Sequence, residues 1–393
     1  MEERTRAYLR GRFGDYYRRT DPLSPPDAEA REWGYIPFTS GPDATMVRHR
    51  SLLDVGDLSA FLPRERPRHV YFSVGRYDDP GASTMRTKGW RDADLVFDLD
   101  ADHLPRVTPG EDSYATMLAE CKRETQRLLT FLREDFGFAD LSVVFSGGRG
   151  YHVHVRDEAV RPLESEARRE VVDYVRATGL AFDALLDREV VGGSAGRRSP
   201  AEKRTLPTDG GWGRRVHRRL LEFVETLSTA DRETATARLT DYDGIGEGKA
   251  EAILTAIDRN ADAIRAGNID VHPAFYELAR KVAAETAETA HAHIDEPVTT
   301  DVNRLIRLPG SLHGGTGLVV RPVEVGALDE FDPLTDAVPE TFRGHDVTVD
   351  VGDGGEVTFD DQTFTVSAGE HSLPEYAAVF LMARGRAEKA KET

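Results

Sequence analysis

Leu95, Phe97 and Leu99 alternate with Asp94, Val96, Asp98 and Asp100, a period of two that predicts a half-buried strand over 94–100 ending in acid. Further along the period lengthens, and Leu118, Cys121, Leu128, Leu129 and Leu132 predict a helix over about 114–136. The apolar run 141–145 and the alternating run 151–156 flank a glycine-rich turn, which predicts strand, turn, strand. From about 164 to 290 the pattern is mostly helical, broken at 191–200 and 207–213. Beyond 326, two alternating runs (346–351 and 362–366) predict strands and 374–390 predicts a closing helix, while 1–91 mixes short helical and extended signals. The fold class expected is α+β. A mixed-sheet core over 1–180 and 289–325 is interrupted by a mostly helical insertion (181–288) and followed by an acidic β-rich module (326–393).

Composition narrows the function. No apolar run approaches the ~20 residues of a membrane-spanning helix, and the charged N-terminal stretch MEERTRAYLRGRFGDYY lacks the apolar core of a secretory signal, so a cytoplasmic protein is expected. Cys121 is the single cysteine, which excludes an internal disulfide and a zinc site built mainly from cysteines. Acids outnumber bases 69 to 51, for a net charge of −18. Only seven of those bases are lysine. Acid and arginine displacing lysine suits a halophile's protein, in which well-hydrated carboxylates keep the chain soluble in concentrated salt. Residues 326–393 hold 15 acids against 5 bases, so this tail is not where DNA is expected to sit. A local basic stripe elsewhere remains compatible with nucleic-acid binding.

Three clusters carry chemistry. Strand spacing puts Asp98 and Asp100 on one face ~7 Å apart, able to share divalent cations with a nucleotide's phosphates or simply to end a solvated strand. Asp102 and His103 follow as turn or supporting residues. In Ser146-Gly-Gly-Arg-Gly-Tyr-His152 the glycines let backbone N–H groups approach an anion, and Arg149 offers a bidentate fork. His152, His154 and Arg156 share a strand face that aims polar groups into the same cleft. An ordinary glycine hairpin would look similar. The third cluster runs from His293 to Gly317: Asp295 or Asp301 can complete a three-carboxylate site, Arg307 and His313 can neutralise phosphate, and Arg304 and Arg307 can equally be salt-bridging residues.

Together these residues resemble the catalytic small subunit of archaeal and eukaryotic replicative DNA primase. Asp98-Leu-Asp100, Ser146 to His152, Ile294-Asp-Glu-Pro-Val and Leu308-Pro-Gly-Ser-Leu-His313 stand in that family's order at compatible spacing. The resemblance implies the archaeo-eukaryotic primase core, with Asp98, Asp100 and Asp295, rather than Asp301, binding two Mg²⁺ or Mn²⁺ ions. It implies nucleotide contacts from Ser146, Arg149, His152, Arg307 and His313. It also implies a large-subunit partner, a single-stranded DNA template, and RNA primers made from ribonucleotides, with deoxynucleotides used as well. Two departures stand out. The cysteine- and histidine-rich zinc segment of many relatives is reduced here to His103 and Cys121, so no structural zinc is expected. Gly315 stands where some relatives have a basic residue, and Arg321 is a candidate to replace it.

Template contacts are expected in the basic stretch 197–219, with Arg197, Arg198, Lys203, Arg204, Arg214, Arg215, Arg218 and Arg219 around Trp212 as a stacking ring. The segment 243–254 resembles a helix-hairpin-helix, in which Gly246 and Lys249 would meet phosphate. Rival classes are a primase-superfamily repair polymerase that extends existing primers, a metal-dependent glycosyltransferase using Asp98 and Asp100, and a non-catalytic DNA-binding subunit. The glycosyltransferase leaves the third cluster unexplained, and the binding subunit has no use for three acids.

Overall fold

The computed structural model describes residues 1–39, 45–191 and 201–391. The chain forms two compact units, one of Met1–Gln126, Phe138–Val172 and His293–Thr393, the other of Arg127–Gly137 and Asp173–Ala292. The class is α+β.

Two antiparallel sheets make the centre of the first unit. One orders the strands Leu305–Arg307, His69–Tyr77, Arg31–Ile36 and Val47–Arg50, with Trp90–Ala93 also paired to His69–Tyr77. The other orders Arg321–Val323, Leu141–Phe145, Gly150–Val155 and Leu95–Asp100. Leu95, Val96, Phe97 and Leu99 are at most 1% exposed, so the strand is apolar on both faces until its last residues, where the acids emerge. Asp94 is not one of them. It is fully buried, taking Arg31 at 2.8 Å, Arg76 at 3.1 Å and Arg156 at 3.4 Å, an ion cluster that neutralises a carboxylate no water reaches.

The polar face expected from His152, His154 and Arg156 also divides. His154 is 1% exposed with its ring stacked on Phe72, and Arg156 turns to Asp94 and Ser142, so only His152 of the three lines the cleft. Burial first, then the neighbouring Arg156, holds the His154 imidazole neutral, and burial with Arg307 does the same at His69 and His152, both pushed down to about 3. The unfolded chain takes up protons at these positions below pH ~6.5 and the folded chain does not. Their contribution to stability is therefore complete above pH ~6.5 and is lost as pH falls toward 3. The melting temperature should fall between pH 7 and 4.5, and less steeply in His154→Gln; equal slopes in thermal unfolding would remove His154 from this account.

The N-terminal helix Glu3–Arg19 buries Leu9, Phe13, Tyr16 and Tyr17 along one face. Its tyrosines pin the third motif: the Tyr16 hydroxyl donates to the Gly310 carbonyl at 2.8 Å, and the Tyr17 oxygen accepts the Leu312 N–H at 3.2 Å. In the C-terminal part, Asp346–Val351 pairs with Gly369–Pro374 and Ala387–Lys389, beside the hairpin Gly355–Phe359 with Gln362–Val366. The closing helix is shorter than the 374–390 expected, spanning Glu375–Ala383. Gly385 takes φ +74°, its N–H meets the Met382 carbonyl and the Arg386 N–H that of Leu381, a left-handed stop after which 387–389 returns as a strand.

The second unit carries the helices Gly211–Thr229, Arg232–Thr240, Glu247–Arg265 and Pro273–Ala290 around Val216, Leu220, Ile253 and Phe275, with the hairpin Asp187–Val191 and Ala201–Thr205. No helix among the described residues is long and apolar enough to cross a membrane.

Candidate active site

Antiparallel pairing of Leu95–Asp100 with Gly150–Val155 sets Asp98 opposite His152 and Asp100 opposite Gly150. The His152 Nε2 lies 3.5 Å from Asp98. The third acid is joined to the same strand through backbone: the Asp295 N–H donates to the Asp98 carbonyl at 2.9 Å as the chain enters the short helix Glu296–Thr300. Burial and the neighbouring Asp100 push the Asp98 carboxyl up to about 6, and burial with Asp98 raises Asp295 as well. Carboxyls crowded so that their ionised forms are disfavoured mark a place for positive charge. Asp301 accepts the Asn303 N–H at 2.9 Å in the turn after the short helix.

The glycine turn is built by Ser146. Its hydroxyl oxygen accepts the N–H groups of Gly148 and Gly150, both at 3.3 Å, and its N–H donates to the Gly150 carbonyl at 2.9 Å. Gly147 has φ +73°, and a Cβ there would stand 2.7 Å from that of His313. Gly150 has no room for a Cβ at all, since one would lie 1.8 Å from the Leu99 carbonyl oxygen. The Tyr114 hydroxyl holds the Gly148 carbonyl, and the Thr316 hydroxyl holds that of Gly147 at 2.5 Å. Arg149 pairs with Asp102 and stands 3.6 Å from Asp100.

From the other sheet, Arg307 projects beside Tyr71, its guanidinium 5.7 Å from the ring centroid and its buried Nε without a partner. His313 receives the Gly315 N–H at Nδ1 at 3.2 Å, which leaves the proton on Nε2. Burial and Arg307 keep that ring uncharged. These groups converge on a cavity of about 230 Å³ lined by Asp98, Asp100, Ser146, Arg149, His152, Arg307 and His313. A second cavity of about 350 Å³ shares Asp98, His152 and Arg307 with it and adds Asp301, Arg48, Tyr71 and Arg304. Among the described residues no three His, Cys, Asp or Glu side chains are already gathered to hold a metal ion. The donor set is nonetheless all oxygen, and hard divalent cations are commonly held by one or two carboxylates with substrate phosphates completing the shell.

The expected template contacts are placed differently. Trp212 is 2% exposed, its indole N–H donating to the Tyr174 carbonyl at 2.8 Å and its ring against Phe131, so it is a core residue with no face for a base. Arg204 is held by Asp270, Arg214 by Glu134 and Arg215 by Asp135. Arg197 and Arg198 lie outside the described residues. Gly246 precedes helix Glu247–Arg265 in an exposed turn, and Lys249 bonds Glu277 and the Gly244 carbonyl at 2.7 and 2.8 Å. Tyr114, Thr316 and Arg384 also border the site or its turn and had no signal in the sequence, because each reaches it through tertiary contacts.

The model of the DNA primase small subunit family matches residues 97–325, a span holding all three acids, the glycine turn and His313. The DNA primase small subunit PriS of Haloarcula marismortui is 64% identical over the whole of both chains, that of Halobacterium salinarum 60% over the whole of both, and that of Methanothrix thermoacetophila 43% over 99% of this chain and 100% of its own. The first two come from halophiles, as the acidic, lysine-poor composition suggested. Among solved structures, the polymerase domain of Mycobacterium tuberculosis ligase D in complex with DNA has a TM-score of 0.33 and 14% identity over 82% of this chain and 83% of that one, too slight a likeness to argue from. The chain belongs to the DNA primase small subunits, nucleotidyltransferases that make RNA primers.

Proposed function

We propose that the cavity lined by Asp98, Asp100 and the glycine turn binds the triphosphate of an incoming nucleotide, and that Asp98, Asp100 and Asp295 hold the divalent cations of a two-metal nucleotidyl transfer. The observation that carries this is the raised Asp98 carboxyl beside Asp100, both lining a cavity otherwise lined by phosphate-binding groups, with the raised Asp295 joined to Asp98 through backbone. Primases are metal-dependent; two Mg²⁺ or Mn²⁺ ions bound here would lower the pKa of the attacking 3′-hydroxyl and stabilise the leaving pyrophosphate. Ser146 fixes the shape of the turn by taking the Gly148 and Gly150 N–H groups, and the turn carries Arg149 to where the phosphates would bind. Arg149 exchanges the Asp102 carboxylate for a phosphate oxygen. Arg307 brings an unsatisfied donor, and the neutral His313 donates from Nε2. His152, held uncharged by burial, packs against Asp98 and orients it.

The substrates on this reading are ribonucleotides, with deoxynucleotides as well, on a single-stranded DNA template, in the cytoplasm with a large-subunit partner. The exposed first turn of helix Glu247–Arg265 at Gly246 is the template contact this reading keeps. The test is synthesis on single-stranded DNA with labelled nucleotides and Mg²⁺ or Mn²⁺, without primer, with and without the large subunit. New chains in either arm are expected. Extension of added primers alone, even with the partner present, would make the chain a primer-extending polymerase instead.

A further inference from the structure

We infer that Arg384 is a further phosphate-binding residue of the nucleotide pocket, supplied by the C-terminal part of the chain; the inference rests on reading that pocket as a triphosphate site. Arg384 lies 71 positions beyond His313 and in none of the motifs. It lines the same 230 Å³ cavity as Arg149, Arg307 and His313. The left-handed stop at Gly385 ends helix Glu375–Ala383 so that Arg384 caps it, and its guanidinium lies over two rings, 4.8 Å from the centroid of Tyr114 and 4.9 Å from that of Phe380.

Those rings are not incidental. The Tyr114 hydroxyl holds the Gly148 carbonyl, so the platform under Arg384 is fastened to the turn that would cradle phosphate. Aromatic faces fix a guanidinium's position while leaving its five N–H donors unused. Among the described residues no carboxylate lies within ion-pairing distance of Arg384, whereas Arg149 in the same cavity has Asp102 and Asp100. Burial, and after it the charge of nearby Arg149, disfavours the Arg384 cation. A positive group held beside another, partly desolvated and without a counter-ion, gains most from an anion arriving between them.

Gly315 gives the same cavity a wall without a side chain. Arg321, the candidate to supply the charge absent there, is placed elsewhere. It sits in strand Arg321–Val323 opposite Phe145 and faces a separate cavity with Tyr16 and Asp336. Arg384 is the residue that brings a third guanidinium to the phosphate pocket.

The test measures binding of ATP and of inorganic tripolyphosphate by titration calorimetry, together with steady-state primer synthesis, in at least 1 M salt. There the screening length is about 3 Å or less, so only direct contacts register. Arg384→Gln keeps the stem on the two rings and removes the charge; Arg384→Lys restores it; Arg149→Ala reports on the pocket itself. We expect Arg384→Gln to weaken both ligands and raise the nucleotide KM by roughly tenfold, with kcat changed by less than about threefold, and Arg384→Lys to recover part of the loss. The melting temperature should stay within ~2 °C of wild type. Unchanged affinity and KM in Arg384→Gln, with both impaired in Arg149→Ala, would overturn the inference and leave the pocket standing. Tripolyphosphate bound equally by all three variants and wild type would overturn the pocket reading along with it.

Discussion

Asp98→Ala is expected to reduce primer synthesis by ~10³-fold or more at saturating nucleotide while the chain melts no lower than wild type. Loss of activity follows from the site: Asp98 lies between Asp100 on its own strand and Asp295 through the backbone, and it borders both cavities. Its removal takes away one of the three carboxylates that would hold the ions. Stability moves the other way because the carboxyl is already raised to about 6 by burial and by Asp100. A raised carboxyl opposes folding once ionised, so its removal relieves repulsion at neutral pH. Measuring primer yield and thermal unfolding on one preparation separates the two effects. A variant that retains more than about a tenth of wild-type synthesis would contradict the assignment.

Gly150→Ala is expected to be as damaging by a different route, lowering stability by ~3 kcal/mol or more and abolishing activity with it. The new Cβ would stand 1.8 Å from the Leu99 carbonyl oxygen, a backbone atom with no rotamer to escape through. The strands Leu95–Asp100 and Gly150–Val155 would have to part at the pair Asp100 and Gly150, where the acids and the turn meet. Gly248→Ala is the control: nothing lies within 4 Å of its Cβ, it sits inside a helix, and alanine there should gain up to ~1 kcal/mol. Denaturant unfolding of the two variants reads the contrast directly. A Gly150→Ala chain as stable as wild type would mean the two strands are spaced differently.

What could be read from the sequence was what is local. The alternation around Asp98 and Asp100 shows in the residues, and so do the glycines that let Ser146 close its turn. That Asp94 belongs to a buried arginine cluster while Asp98 faces a cavity cannot be read there, because both share one strand parity and only the packing of Arg31, Arg76 and Arg156 divides them. Trp212 misled for the same reason. A tryptophan among arginines looks like a stacking platform until the arginines find Glu134, Asp135 and Asp270 and the ring finds Phe131. The closing helix stopped early because a left-handed glycine, Gly385, follows on the apolar run that ends at Ala383. Arg384 left no trace, since a residue 71 positions past the last motif reaches the pocket only through the fold.

The central claim is that Asp98 and Asp295, and not Asp301, hold the cation with the nucleotide. Electron paramagnetic resonance of Mn²⁺ in the presence of a nucleoside triphosphate tests it most directly, because free and bound ion give distinct signals whether or not the chain polymerises. Wild type and Asp301→Asn should bind Mn²⁺ alike, and Asp98→Asn and Asp295→Asn should bind it at least ~10-fold more weakly. Wild-type affinity in Asp98→Asn, or its loss in Asp301→Asn, would contradict the account.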